Sequence, residues 1–185
     1  VGEVQPPQTT PHSSIACIQS RHTLLPPAFW QKHTMSTVNS VLSKAIYVGG
    51  SYVLARGFHL FLRGSMWMGF GDTEYLWLQM VNSISNLNNN SWHHVIFTWK
   101  GSAYVPGSVT GAWSWCVDGT YGQAPTGVTG NFPTYTPVQS SSALKIGNSN
   151  GSGTFVPYVG YLASIRLYSK ALSQTEMEAI YAYET

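Results

Sequence analysis

Apolar and polar residues alternate in short runs along most of the chain, the two-residue period of a half-buried β-strand. Tyr75 to Val81 shows it most cleanly: Leu76, Leu78 and Met80 share one face, and Tyr75, Trp77 and Gln79 share the other. The first set reads as core. Further strands are predicted at Ser14–Ile18, Thr37–Leu42, Met66–Phe70, Trp92–Trp99, Ala143–Gly147 and Tyr161–Tyr168. Ser51–Arg63 reads as two strands divided at Arg56-Gly57. Trp113, Trp115 and Val117 share one face of a strand that ends at Asp118-Gly119, a pair suited to a tight hairpin. Leu24 to Gln31, with Pro26-Pro27, reads as a connection. Asn86 to Ser91 is a polar turn, because Asn tolerates left-handed backbone angles. Gly119 to Leu144 carries no charge and many Gly, Pro, Ser and Thr, as a long loop or a pair of weak strands would.

Only the end of the chain changes period. Ser173-Gln174-Thr175-Glu176 is a capping box, in which the Ser and Glu side chains satisfy the first free amides of a helix. Met177, Ile180 and Tyr181 follow at spacings of three and four. Many short strands closed by one C-terminal helix predict an all-β, two-sheet antiparallel jelly-roll sandwich. With no internal repeat, a propeller or solenoid is disfavoured.

Composition narrows the setting. The 185 residues suit one large domain, read here as 13–185, preceded by a Pro-rich arm from Val1 to His12. Only 9% of residues are charged, against about a quarter in an average domain. With 43% hydrophobic and 14% aromatic residues, the chain can bury its own core and is not disordered. Nine basic residues face seven acidic ones and never cluster, which argues against nucleic-acid binding. The most apolar stretch, Ala45 to Gly71, is broken by glycines and arginines, so no membrane-inserting helix is predicted. A charge-poor surface rich in Tyr, Ser, Thr and Asn leans towards an extracellular, cell-surface or virion location. Cys17 and Cys116 match no zinc or redox spacing and are either a disulfide pair or two buried thiols.

The second half resembles the laminin-G-like, concanavalin A-like jelly-roll family. The resemblance rests on Trp92-His93-His94-Val95, Trp115-Cys116-Val117-Asp118-Gly119, Leu144-Lys145-Ile146-Gly147, Gly160 to Tyr168, and Lys170-Ala171-Leu172-Ser173 with Glu176. In the first half, Val41-Leu42-Ser43-Lys44 and Gly57-Phe58-His59-Leu60 sit where the family often has similar strands, and Ser14–Ile18 stands for its early Trp-bearing strand, without the Trp. The resemblance implies a sandwich with a binding or structural role and fixes no ligand. It also implies calcium, with Asp118 as the first candidate ligand, Asp72 as a weaker one, and Asn148 and Asn150 as loop partners. Against this, Asp118 is equally the turn residue of a hairpin, and Ala163-Ser164 replace an acidic pair frequent in the family.

Glycoside hydrolysis needs two carboxylates about 5–9.5 Å apart. Of the seven acids only Asp72 and Glu74 are alternate neighbours, and they lie in a turn, so no enzyme is predicted. Adjacent His93 and His94 point to opposite faces of a strand and cannot share a metal. Asn89-Asn90-Ser91 and Asn150-Gly151-Ser152 are glycosylation acceptor sequences, placing Asn89 and Asn150 as modification candidates.

The aromatic residues are the most informative. Sugars stack their apolar faces on Trp and Tyr, and Tyr75 and Trp77 lie opposite the core face of their strand, as Trp67 lies opposite Met66 and Met68. Such rings equally serve protein interfaces. Two functions are therefore expected. One is a structural or assembly subunit of a virion, filament or surface layer, with an attachment role and an arm that binds other copies or other structural proteins. The other is a lectin-like carbohydrate-binding module of a secreted or cell-surface adhesin.

Overall fold

The computed structural model describes residues 27–36, 39–47, 54–63, 65–71, 86–99, 113–123, 143–148 and 156–185. Ten strands and one helix are found there: β1 Pro27–Lys32, β2 Asn39–Tyr47, β3 Leu54–Arg63, β4 Ser65–Gly71, β5 His93–Trp99, β6 Trp113–Val117, β7 Thr120–Gln123, β8 Lys145–Ile146, β9 Val156–Pro157, β10 Tyr161–Leu167 and α1 Gln174–Glu184. One sheet runs β10-β1-β5-β6-β7, antiparallel throughout. The other runs β4-β3-β2-β8, also antiparallel, with the short β9 added parallel to β2. The result is the expected all-β sandwich with one C-terminal helix.

Register explains how the first sheet is covered on both sides. Ala28, Ile96, Cys116 and Tyr121 are successive cross-strand partners on one face. The helix closes over that face, with Leu172 and Met177 buried against Ala28, Ile96 and Cys116. The Leu172 amide donates to Thr98 Oγ1 at 2.9 Å, which fixes the approach to the helix. Phe29, Val95, Phe97, Trp115 and Val117 occupy the opposite face and are buried too, as are Leu42, Leu60, Phe61 and Leu62 of the second sheet. The Ser173–Glu176 capping box forms as expected, starting α1 cleanly.

Two expectations are corrected. The expected connection Leu24–Gln31 is strand from Pro27 on: Pro27–Lys32 is the second strand of the first sheet, flanked by β10 and β5. Proline is tolerated at the first residue of a strand, and Ala28 to Gln31 are all buried, so no alternation was there to see. Nor is the chain broken at Arg56-Gly57. Leu54–Arg63 is one strand, in which Gly57 pairs with Ala45 on one side and Gly71 on the other. Part of the Gly119–Leu144 segment is also strand, β7, which returns directly from the Asp118-Gly119 turn.

Candidate functional site

One end of the first sheet brings together three segments distant in sequence. Lys32, the last residue of β1, pairs with Tyr161, the first of β10, and Gln31 pairs with His93 at the start of β5. Trp92 and Tyr161 thereby meet, ring centroids 6.2 Å apart and planes tilted by 52°. Tyr161 is 66% exposed and its neighbour Val159 60%, while Trp92 is half-buried. An exposed aromatic pair of this kind can stack the apolar face of a ring-shaped ligand.

The two loops that carry the pair are tied to β1. In the 86–92 loop, Asn86 and Asn90 adopt φ of 69° and 64°, left-handed values that Asn tolerates. The Asn90 amide donates to the His33 carbonyl at 3.1 Å, and Gln31 Nε2 donates to the Leu87 carbonyl at 3.0 Å. From the other loop, the Tyr158 hydroxyl donates to Gln31 Oε1 at 3.0 Å. Gly160 lies so close to β1 that a Cβ there would stand 2.4 Å from the Lys32 carbonyl oxygen.

Asp118 organises the neighbouring hairpin. Asp118 and Gly119 have φ of 49° and 77°, the double left-handed geometry of a type I′ turn. Asp118 Oδ1 accepts from the His94 amide at 2.8 Å and Oδ2 accepts from His93 Nδ1 at 2.7 Å. His93 Nε2 lies 2.9 Å from Asn89 Oδ1, which also accepts from the Ser91 amide at 2.8 Å. Asp118 thus uses both oxygens to tie its hairpin to the start of β5. No three His, Cys, Asp or Glu residues gather to hold a metal among the described residues. Asp72 and Asn150, expected beside Asp118 in a calcium site of six to eight oxygens, lie outside the described residues.

Beneath the aromatic pair, the last turn of α1 is locked to the sheet. Glu184 is buried, accepting from Trp30 Nε1 at 3.0 Å through Oε2 and from Arg166 through Oε1. His94 Nε2 lies 3.5 Å from Glu184 Oε2, and its ring stacks obliquely on Trp30 and Tyr181. Burial pulls His94 down to about 4, Asp118 opposing this and Arg166 adding to it, so the ring is neutral at pH 7. Tyr181 lies over Gly119, where a side chain would come within 2.7 Å of its ring. In the second sheet, the Ser40 hydroxyl donates to the Asn148 carbonyl at 2.8 Å and therefore accepts from His59 Nε2, 2.7 Å away. That is a buried structural pair rather than a base poised to activate a nucleophile.

Of the residues expected to bind sugar, Trp67 lies on β4 with its backbone paired to Phe61, and Tyr75 and Trp77 lie outside the described residues. So do Asp72, Asn150, Cys17 and the Val1–His12 arm. Asn89 is exposed in its turn. Cys116 is a free buried thiol under the helix, pushed up to about 11 by burial. His93 and His94 part as adjacent strand residues do, His94 fully buried and His93 partly exposed. Sequence reasoning missed the pairing of Trp92 with Tyr161. The available signal was that Trp92 directly precedes a strand and Tyr161 begins one, each just after an Asn- or Gly-containing turn.

A family model, Laminin_G_3, described as the concanavalin A-like lectin/glucanases superfamily, matches residues 28–178. The match begins inside β1, after Ser14–Ile18, which lies outside both the matched and the described residues. Among solved structures, the CBM40 of the Ruminococcus gnavus IT-sialidase superposes with a TM-score of 0.59 at 15% identity, covering 84% of this chain and 81% of that one. A native heptameric SAP-like pentraxin from Limulus polyphemus superposes with a TM-score of 0.51 at 15% identity, covering 85% and 69% respectively. At such identity the likeness is one of fold. No curated protein matches the sequence.

Proposed function

The chain belongs to the concanavalin A-like lectin/glucanases superfamily, and from that premise we propose that it is a non-catalytic, extracellular recognition domain that binds carbohydrate on the Trp92–Tyr161 pair. The observation that carries this reading is the pair itself: two rings from segments far apart in sequence, held together at an exposed sheet end. The R. gnavus neighbour, a sialidase CBM40, supports a binding role for the fold. No helix among the described residues is long and apolar enough to cross a membrane. The assembly role expected of the Val1–His12 arm draws on residues outside those described, and nothing in the described ones favours it over sugar binding.

A glycan array tests the reading. Wild-type protein is expected to retain a defined subset of glycans. Tyr161→Ala, at an exposed position where substitutions usually change stability by less than about 0.5 kcal/mol, is expected to lose that retention while melting normally. Retention unchanged in both Tyr161→Ala and Trp92→Ala would place the binding elsewhere.

A further inference from the structure

His33 sits directly under both loops of this site. It is 2% exposed. Its carbonyl holds the Asn90 amide of the 86–92 loop. Its ring packs edge-on against Tyr158 of the other loop, centroids 5.6 Å apart, and the Gly160 backbone presses against its Cβ. Yet neither ring nitrogen makes a well-formed hydrogen bond. A buried polar group without a partner is costly, and a buried charge more so. Here it is tolerated where one turn of each loop meets β1.

We propose that His33 is an acid-operated latch: its protonation releases the 86–92 and 158–161 loops from β1 and parts Trp92 from Tyr161. Among the described residues, none gives a proton on His33 a counter-charge. From the start of β5 it faces His93, itself held by Asp118 and Asn89. From the 158–161 loop it faces the Tyr158 ring, and on its own segment the Met35 backbone. None of the described ion pairs includes it. Burial and then the His93 charge lower its proton affinity, the Met35 backbone opposing weakly. The proton is therefore accepted mainly when the loops open and the ring reaches water. The latch concerns the same surface as the proposed sugar site and rests on that reading only for its effect on ligand.

Amide hydrogen exchange on the whole chain between pH 7.5 and 5 tests it without any ligand. After correction for the intrinsic pH dependence of exchange, opening at the Asn90 amide is expected to rise by up to about tenfold per pH unit below about 6.5. The Ile96 amide, in the middle of β5, reports global unfolding, which exposes His59 and His94 as well and is expected to have its own, steeper acid dependence from a much lower level of opening. His33→Phe should remove the slope at Asn90 while Ile96 keeps the acid dependence set by His59 and His94; His33→Gln serves if the Phe variant does not fold. Opening at Asn90 no more frequent than at Ile96 at every pH, or a slope at Asn90 that survives both variants, overturns the latch. Array glycans bound at pH 7.5 should be released at pH 5, and binding that persists on opened loops also overturns it. Loops that open as described in a protein that retains no glycan at any pH would leave the latch standing and sink the sugar-binding function.

Discussion

Gly160→Ala tests whether the close seating of the 158–161 loop on β1 builds the site. A Cβ at this position would stand 2.4 Å from the Lys32 carbonyl oxygen, 2.9 Å from His33 Cβ and 3.0 Å from the Tyr158 ring, against 3.4 Å or more for an ordinary contact. The nearest of these atoms is backbone, in a strand held on both sides by β10 and β5, so it cannot yield as a flexible side chain would. The loop must retreat by about 1 Å. Overpacking of this kind costs about 1–3 kcal/mol. The φ of 157° adds strain, because that region of backbone space belongs almost wholly to glycine. The two together predict a loss of about 2–4 kcal/mol. For a domain of this size, about 2–4 °C per kcal/mol converts this to a fall in Tm of about 5–15 °C. Urea and thermal melts measure it. Exchange at the Tyr158 amide, which donates to the Gly147 carbonyl at 2.8 Å, shows whether the loop rather than the whole fold absorbs the strain. A variant that melts within about 2 °C of wild type with Tyr158 still protected would refute the close-approach argument.

Two further predictions concern the frame beneath the site. Glu184→Ala strands the buried Trp30 indole N–H and leaves Arg166, which is 38% exposed and can partly turn to water. The expected cost is about 2–4 kcal/mol, measured by urea unfolding, with Glu184→Gln recovering part of it; no change in melting would remove Glu184 from the lock. Acid should destabilise the fold through its buried histidines. Burial lowers His59 to about 3 and His94 to about 4, so the unfolded chain takes up these protons first. Stability is then complete above the ordinary histidine value of about 6.5. It falls by about 1.4 kcal/mol per group per pH unit below that value, until about pH 4 for His94 and pH 3 for His59. Flat urea midpoints from pH 7 to 4.5 would contradict this.

How much of this was legible in the sequence depends on whether the signal was local. The Asp118-Gly119 turn, the Ser173–Glu176 cap and the Trp92–Trp99 strand were readable because turn angles, end amides and alternation are set by neighbours in the chain. Pro27–Lys32 was not, since burial on both faces erases alternation and Pro27, with Pro26 before it, imitates a connection. Gly57 looked like a break because its partner across the sheet, another glycine at 71, could not be known. The Trp92–Tyr161 pair was invisible for the same reason. It exists only because β1 lies between β10 and β5, and strand order is a tertiary property. Glu184 gave no signal as the next-to-last residue of the chain, and its burial follows from where α1 docks.

The central claim is most directly tested through the indole N–H resonances of the seven tryptophans during titration with a glycan retained on the array. Sugar stacked on the proposed pair shifts the Trp92 indole first and most, together with the Tyr161 ring, and leaves the buried Trp30 indole in place. Shifts confined to Trp67 or Trp77, with Trp92 unmoved, would contradict the account and put the binding surface on the strands first expected to carry it.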